Sequence, residues 1–302
     1  MTVIFEQVLI LIIFAMVGFA LAKMKVVDAN HTKNITGLLV YVFSTCNTFK
    51  TFATNFNVNF ISSNYSLIIA SLIVLAILLI VTYFIAKPMS QSKYEQYVYQ
   101  YSMIMPNFGY MGYVLAEALF GESGLIGIMV FSIPMLIYIY LISFCILTKK
   151  PVSVKGLVNA LTVTMALGMV VGLAEIELPT IVTSVLDTSR ACMGPVSMIL
   201  AGIVISRFRF KEILSNWKIY FVTALRLIVM PLCFGVCLGF FFPVYVVQSA
   251  VIFLSMPCGL NTVVFPDLVG EDCKIGAGLA LVSSLLSCAT IPIVFNILGI
   301  IL

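Results

Sequence analysis

Apolar runs of about twenty residues recur along the whole chain, separated by short polar or Gly/Pro-bearing breaks. A helix needs roughly 20 apolar residues to cross the hydrocarbon core of a bilayer. Ten such segments are predicted, near 3–22, 34–53, 66–86, 95–120, 124–147, 157–176, 180–206, 217–241, 245–268 and 275–301. Segments two and seven are the least lipid-like, with the polar stretches Ser44-Thr45-Cys46-Asn47-Thr48 and Asp187-Thr188-Ser189-Arg190. The intervening loops are short and leave no room for an extramembrane domain, so function is expected within the membrane. The first segment opens with Glu6 rather than a basic cluster and lacks a small-residue cleavage site, so it reads as a spanning helix and not a removable signal.

Composition agrees with this pattern. Of 302 residues, 62% are apolar and 9% charged, with a mean hydropathy of +1.17, which excludes a water-soluble fold. The net charge is only +4, and no dense basic run exists to neutralise a phosphate backbone, so nucleic acid is not an expected partner. Eight cysteines fall mostly in apolar runs without a CxxC pair, and His31 is the only imidazole. They read as small buried side chains; neither a disulfide framework nor a metal site is expected.

Charge changes the picture by giving an orientation. Short cytoplasmic loops collect Lys and Arg, and alternate loops here are basic. Lys23, Lys25 and Lys33 follow segment one, Lys87 and Lys93 segment three, Lys149, Lys150 and Lys155 segment five, Arg207, Arg209, Lys211 and Lys218 segment seven, and Lys274 segment nine. That places 13 of the 16 cations on one side, with both termini extracytoplasmic in the cell membrane.

The two halves of the chain echo each other. Met105-Pro106 returns as Met256-Pro257 at an offset of 151 residues, Gly121-Glu122 as Gly270-Glu271 at 149, and Gly18-Phe19-Ala20 as Gly172-Leu173-Ala174 at 154. A five-segment unit used twice would span residues 1–150 and 151–302. Because five is odd, the second copy would enter the membrane inverted, an arrangement found in secondary transporters.

The repeated prolines carry the chemistry. Pro106 in segment four and Pro257 in segment nine each remove a backbone donor at mid-depth, so both helices are expected to break there. Irregular backbone at that depth is tolerated only in a protein-buried or water-lined place. Each break would present a half-helix N-terminus, whose amides and partial positive charge favour a carboxylate. Asn107 and Asn261 lie beside these ends and can donate to an anion or accept from an N–H without carrying charge. Packing kinks with interhelical asparagine hydrogen bonds are the structural alternative.

Three cations depart from the loop pattern, namely Lys50, Arg190 and Arg226. Arg226, about nine residues into segment eight, could neutralise an anionic substrate, pair with Glu117, or snorkel to an interface. Lys50 and Arg190 are expected in the headgroup region. Glu117 and Asp267, in the second halves of the broken segments, are candidates for a coupling proton, with solvated helix-end acids as the alternative.

The run Pro106-Asn107-Phe108-Gly109-Tyr110-Met111-Gly112 into Leu119-Phe120-Gly121, together with Gly194-Pro195 and Met256-Pro257 into Val269-Gly270-Glu271-Asp272, resembles the auxin efflux carrier family. That family includes bacterial malate and malonate permeases and belongs with the bile-acid-symporter-like folds. The resemblance spans the chain and implies an all-α membrane protein of ten helices in two inverted five-helix repeats. Broken helices four and nine would cross at Pro106 and Pro257 around the substrate, and segments one, two, six and seven would form a scaffold for an elevator-like movement of the rest. It also implies an asparagine contacting a carboxylate at each crossing. Asn107 matches, whereas Cys258 holds the second position and Asn261 lies a turn later; the family's usual proline in segment two is Ser44-Thr45-Cys46-Asn47 here.

The expected function is secondary active transport of a small organic anion, a carboxylate or a dicarboxylate such as malate. The substrate would meet Pro106, Asn107, Gly109, Pro257, Cys258, Gly259, Asn261 and Arg226. No ATP motif and no cofactor are expected; Na+ or H+ would be the coupling ion, and a homodimer is compatible with the sequence. A carboxylate receptor or sensor without translocation is the alternative. Enzymatic activity is not expected, because no nucleophile with its base, paired acids or metal cluster is placed at bilayer depth.

Overall fold

Proline decides where the two central segments stop. The structure, a computed structural model, describes residues 2–29, 31–152, 158–209, 211 and 215–299. Lys155, counted above among the loop cations, and residues 300–301 of segment ten lie outside the described residues. The fold is all-helical, and among the described residues there is no strand. The helices are α1 (Thr2–Lys23), α2 (Lys33–Leu38), α3 (Thr45–Asn55), α4 (Val58–Ser63), α5 (Tyr65–Met89), α6 (Lys93–Ile104), α7 (Tyr113–Tyr138) and α8 (Phe144–Leu147). In the second half follow α9 (Ala160–Leu173), α10 (Thr180–Ile205), α11 (Trp217–Ala224), α12 (Met230–Gly239), α13 (Val244–Ser255), α14 (Asn261–Val269) and α15 (Lys274–Ile297). Wider π-helical turns at Leu39–Ser44, Phe108–Gly112, Ile139–Ser143 and Leu225–Val229 interrupt or precede several of them.

Among the described residues, five stretches are long and apolar enough to cross a membrane, namely Tyr65–Met89, Leu115–Leu147, Thr180–Ile205, Trp217–Gly239 and Lys274–Ile297. Ile12–Lys23, Ala160–Leu173 and Val244–Ser255 are shorter apolar helices. The chain is an integral membrane protein, with outward-facing Leu, Ile, Val and Phe on most of these elements. The Leu115–Leu147 stretch is not one straight rod: Gly121, at φ 64, breaks it into the end of segment four and the start of segment five. Gly270, at φ 79 and ψ 22, ends α14 in the left-handed helical region, whereas Gly121 combines its positive φ with ψ −155; both conformations cost glycine little and other residues more.

Two groups of helices are visible in the packing. In the first, α1 lies along α10 and α3 along α9, with α2 and the Leu39–Ser44 turn beside them. In the second, α5 packs on α6 and α7, α13 on α7 and α12, and α15 on α11 and α6. Glycines set the spacing in the first group. A Cβ on Gly202 would lie 1.9 Å from the Ala15 carbonyl oxygen, and one on Gly18 2.0 Å from that of Ile199, so α1 and α10 touch backbone to backbone. Gly168 and Gly172 do the same for α9 on α3, where a Cβ would meet the Phe49 and Phe52 carbonyl oxygens at 2.6 Å. Small residues at a membrane helix interface allow this approach. Gly202→Ala is therefore expected to force the two helices apart and lower stability by about 2 kcal/mol. Gly37→Ala, where nothing lies within 4 Å, should leave thermal unfolding in detergent unchanged.

Candidate functional site

Both broken helices end one residue before their prolines' neighbours. A residue preceding proline is pushed out of the helical region, and Met105 (φ −102, ψ 113) and Met256 (φ −70, ψ 149) are accordingly extended. Segment four therefore divides into α6 and the Phe108–Gly112 turn leading into α7, and segment nine into α13 and α14. The extended stretches pair antiparallel across one another: the Asn107 N–H donates to the Pro257 carbonyl at 2.7 Å, and the Gly259 N–H to the Met105 carbonyl at 2.9 Å. Glycine is required at 259 by proximity, since a Cβ there would sit 3.1 Å from the Met105 oxygen and 3.2 Å from the Pro106 oxygen.

Against this pairing lies a small cavity of about 50 Å3. Pro106, Asn107, Phe108 and Gly109 line it from one break, and Gly259, Leu260 and Asn261 from the other. Ser44 and Asn47 on segment two, Met193 on α10, Tyr113 and Tyr140, and the apolar Leu136, Ile139 and Phe265 complete the wall. At this size it holds about three to five waters, and an organic acid requires the walls to part. The Asn261 carboxamide is oriented by its Nδ2 donating to the Tyr101 hydroxyl at 2.8 Å, while Asn107 is buried.

Of the eight residues expected around a substrate, Pro106, Asn107, Gly109, Gly259 and Asn261 line the cavity. Pro257 and Cys258 belong to the paired backbone behind it, the Cys258 N–H donating to Ser283 Oγ at 2.9 Å. Arg226 is also behind it, fully buried, and its partner is not the Glu117 considered from sequence. Its guanidinium donates to four backbone carbonyls: Nη1 to Met103 (3.0 Å) and Ile104 (3.4 Å), Nη2 to Phe253 (3.0 Å) and Nε to Met256 (3.3 Å). These carbonyls close the C-terminal ends of α6 and α13, where a helix leaves acceptors without internal partners.

The two acids separate. Glu117 is exposed on α7, whereas Asp267 on α14 is buried and faces Arg207 Nη2 at 2.9 Å and the Thr32 hydroxyl at 2.7 Å. Lys50 is paired with Asp187 across α3 and α10. Ser44, Asn47, Tyr113, Tyr140 and Tyr101 were not singled out from sequence as site residues. The polarity of the Ser44–Thr48 stretch inside an apolar segment was the available signal for the first two.

Residues 3–151, about the first half of the chain, match the membrane transport protein family, whose domain is that of the auxin efflux carriers. Over these residues the chain carries the domain of the auxin efflux carrier family, consistent with a transporter of that family. No curated protein matches the chain. The family match covers the first break, Pro106 to Gly112, and the whole of segments one to five. Members of this auxin efflux carrier family are transporters rather than enzymes, and the broken, cross-paired helices belong to a membrane transport protein.

Proposed function

We propose that the protein is a secondary active transporter of a small organic anion, a carboxylate or dicarboxylate, working by alternating access with an elevator-like step. The observation that carries this reading is the cross-pairing of two broken helices beside a cavity whose wall holds Asn107 and Asn261. Uncharged donors and the first residues of two second half-helices suit a carboxylate. In this reading the ten segments form two inverted repeats, 1–150 and 151–302. Support comes from the paired Met-Pro breaks, from the positive φ shared by Gly121 and Gly270, and from Gly18 and Gly172, each pressed on the backbone of a neighbouring helix. The helix group of segments one, two, six and seven would be the scaffold, and both termini would face outward from the cell membrane. Na+ or H+ would supply the energy, with Asp267 and Glu117 as the candidate proton carriers, and the chain would act alone or as a homodimer.

The test is uptake of radiolabelled malate and malonate into proteoliposomes, with a sodium gradient, a proton gradient or neither. Concentrative uptake driven by one gradient is expected. Saturable binding with no flux under any gradient would instead favour a receptor or sensor. Asn107→Ala should lower flux at least tenfold while leaving thermal unfolding near that of the wild type, because its side chain lines the cavity and its backbone makes the pairing. Unchanged flux would remove Asn107 from the site.

A further inference from the structure

Arg190 lies on α10 ten residues after Thr180, about 15 Å along the helix axis. This is deeper in the span than the headgroup position expected from sequence, within the polar stretch Asp187-Thr188-Ser189-Arg190, and a cation there is costly unless it is paired or serves a water-filled place. The other inward cations are satisfied: Arg226 by four carbonyls, Arg207 by Asp267 and the Ala29 carbonyl, and Lys50 by Asp187. Arg190 makes no hydrogen bond or ion pair with any described residue. Its guanidinium carbon lies 5.3 Å from the centre of the Tyr113 ring. That ring is held in place from its far end, the Tyr113 hydroxyl lying 3.0 Å from Ser132 Oγ.

A guanidinium held over a ring by cation–π attraction keeps its N–H donors available, and such a fork can take a carboxylate in two parallel hydrogen bonds. The position is adjacent to the candidate site. Tyr113 itself lines the cavity, as does Met193, one turn further along α10. On the facing helix the same spacing recurs, with Asn47 in the wall and Lys50 one turn away, paired to Asp187. Because that pair is neutral as a whole, the uncompensated charge at this rim is the one on Arg190.

We propose that Arg190 is the anion-docking residue of the transport site, receiving one carboxylate of the solute at the rim before it reaches the carboxamides at the crossing. The inference rests on the transport reading for its setting and adds the residue that selects a charged over a neutral solute. The experiment measures equilibrium binding of [14C]malonate and [14C]malate to the full chain in nanodiscs, alongside proteoliposome flux, for wild type, Arg190→Gln and Arg190→Lys. Arg190→Gln should raise the Kd at least tenfold and flatten its dependence on salt, with Arg190→Lys intermediate. Thermal unfolding should change little, since no hydrogen bond is lost. Competition by the neutral diamide malonamide, weak against wild type, should be no weaker against Arg190→Gln. An unchanged Kd and salt dependence in Arg190→Gln overturns the assignment while leaving the transport reading intact. Wild-type protein that moves a neutral solute but binds neither carboxylate also overturns it. Binding that needs Arg190 but is never followed by flux supports the docking role and defeats transport instead.

Discussion

Arg226→Met should leave a protein that barely accumulates in the membrane and unfolds well below the wild-type temperature. The side chain is fully buried, and its donors reach carbonyls of Met103, Ile104, Phe253 and Met256, the terminal turns of α6 and α13. Each helix ends with acceptors that have no internal partner and carry partial negative charge. One guanidinium answers both ends at once, which fixes α6 and α13 relative to each other just before their extended stretches pair. Hydrogen bonds to a charged donor contribute about 1.5–3 kcal/mol each, and the orphaned carbonyls would be desolvated without replacement. Even if water or local shifts recover half of this, the loss is about 3–6 kcal/mol, a large part of a typical stability. Arg226→Lys keeps the charge but has no planar fork to span two helix ends, so about half the loss should return. Thermal unfolding of the purified protein in detergent is the measurement. A Met variant as stable as wild type would mean that the two helix ends are held by something other than this cation.

That role could not be read from the chain. The apolar runs located the helices closely, because length and hydropathy are local properties: the predicted segment 180–206 is Thr180–Ile205, and 66–86 falls within Tyr65–Met89. Pro106 and Pro257 mark the breaks, where the preceding residue leaves helical dihedrals, but Pro88, Pro134, Pro195, Pro266 and Pro292 lie inside continuous helices, so the repeated Met-Pro position rather than proline alone was the signal. Even the faint echo of Gly18 in Gly172 has a physical counterpart, since both press on a neighbouring backbone. Arg226 was visible as a charge in the wrong place, but its partners are carbonyls, which every residue owns and no sequence marks. A similar limit applies to the cavity. Asn261 lines it while Cys258, the residue directly after the second proline, is committed to the paired backbone, a difference decided by how two extended stretches cross. Asp267 read as a helix-end acid because Thr32, 235 residues away, and Arg207 give no local sign that they will enclose it.

Asp267→Asn should loosen the contact between the two groups of helices. Among the described residues five ion pairs occur: Asp28 with His31 inside one loop, Lys50 with Asp187 between α3 and α10, Glu95 with Lys218 between α6 and α11, Lys149 with Glu271 between the loops after α8 and α14, and Arg207 with Asp267. Arg207–Asp267 alone among them joins the end of α10 to α14, and Thr32 and Thr36 donate to the same carboxylate from the α2 side. Removing one partner of a buried pair typically costs about 3–5 kcal/mol, because the other charge is left behind. Asp267→Asn and Arg207→Gln should each destabilise by about 3 kcal/mol, whereas the double variant should lose clearly less than the sum, with a coupling of about 2 kcal/mol.

Cys273 separates loosening from simple destabilisation. It is buried in the loop after α14, and its thiol is held above the ordinary range by that burial and then by the nearby Asp267 charge, with Arg207 pulling the other way. In a background retaining only this cysteine, maleimide labelling at neutral pH should be slow. Asp267→Asn would speed it for two reasons, since opening exposes the thiol and loss of the negative neighbour lowers its pKa. Arg207→Gln resolves the ambiguity, because losing that cation pushes the thiol further up and by itself slows the reaction. Faster labelling in Arg207→Gln therefore reports that α14 has parted from α10 and α2, and slower labelling would mean that the pair is not what holds the two groups together.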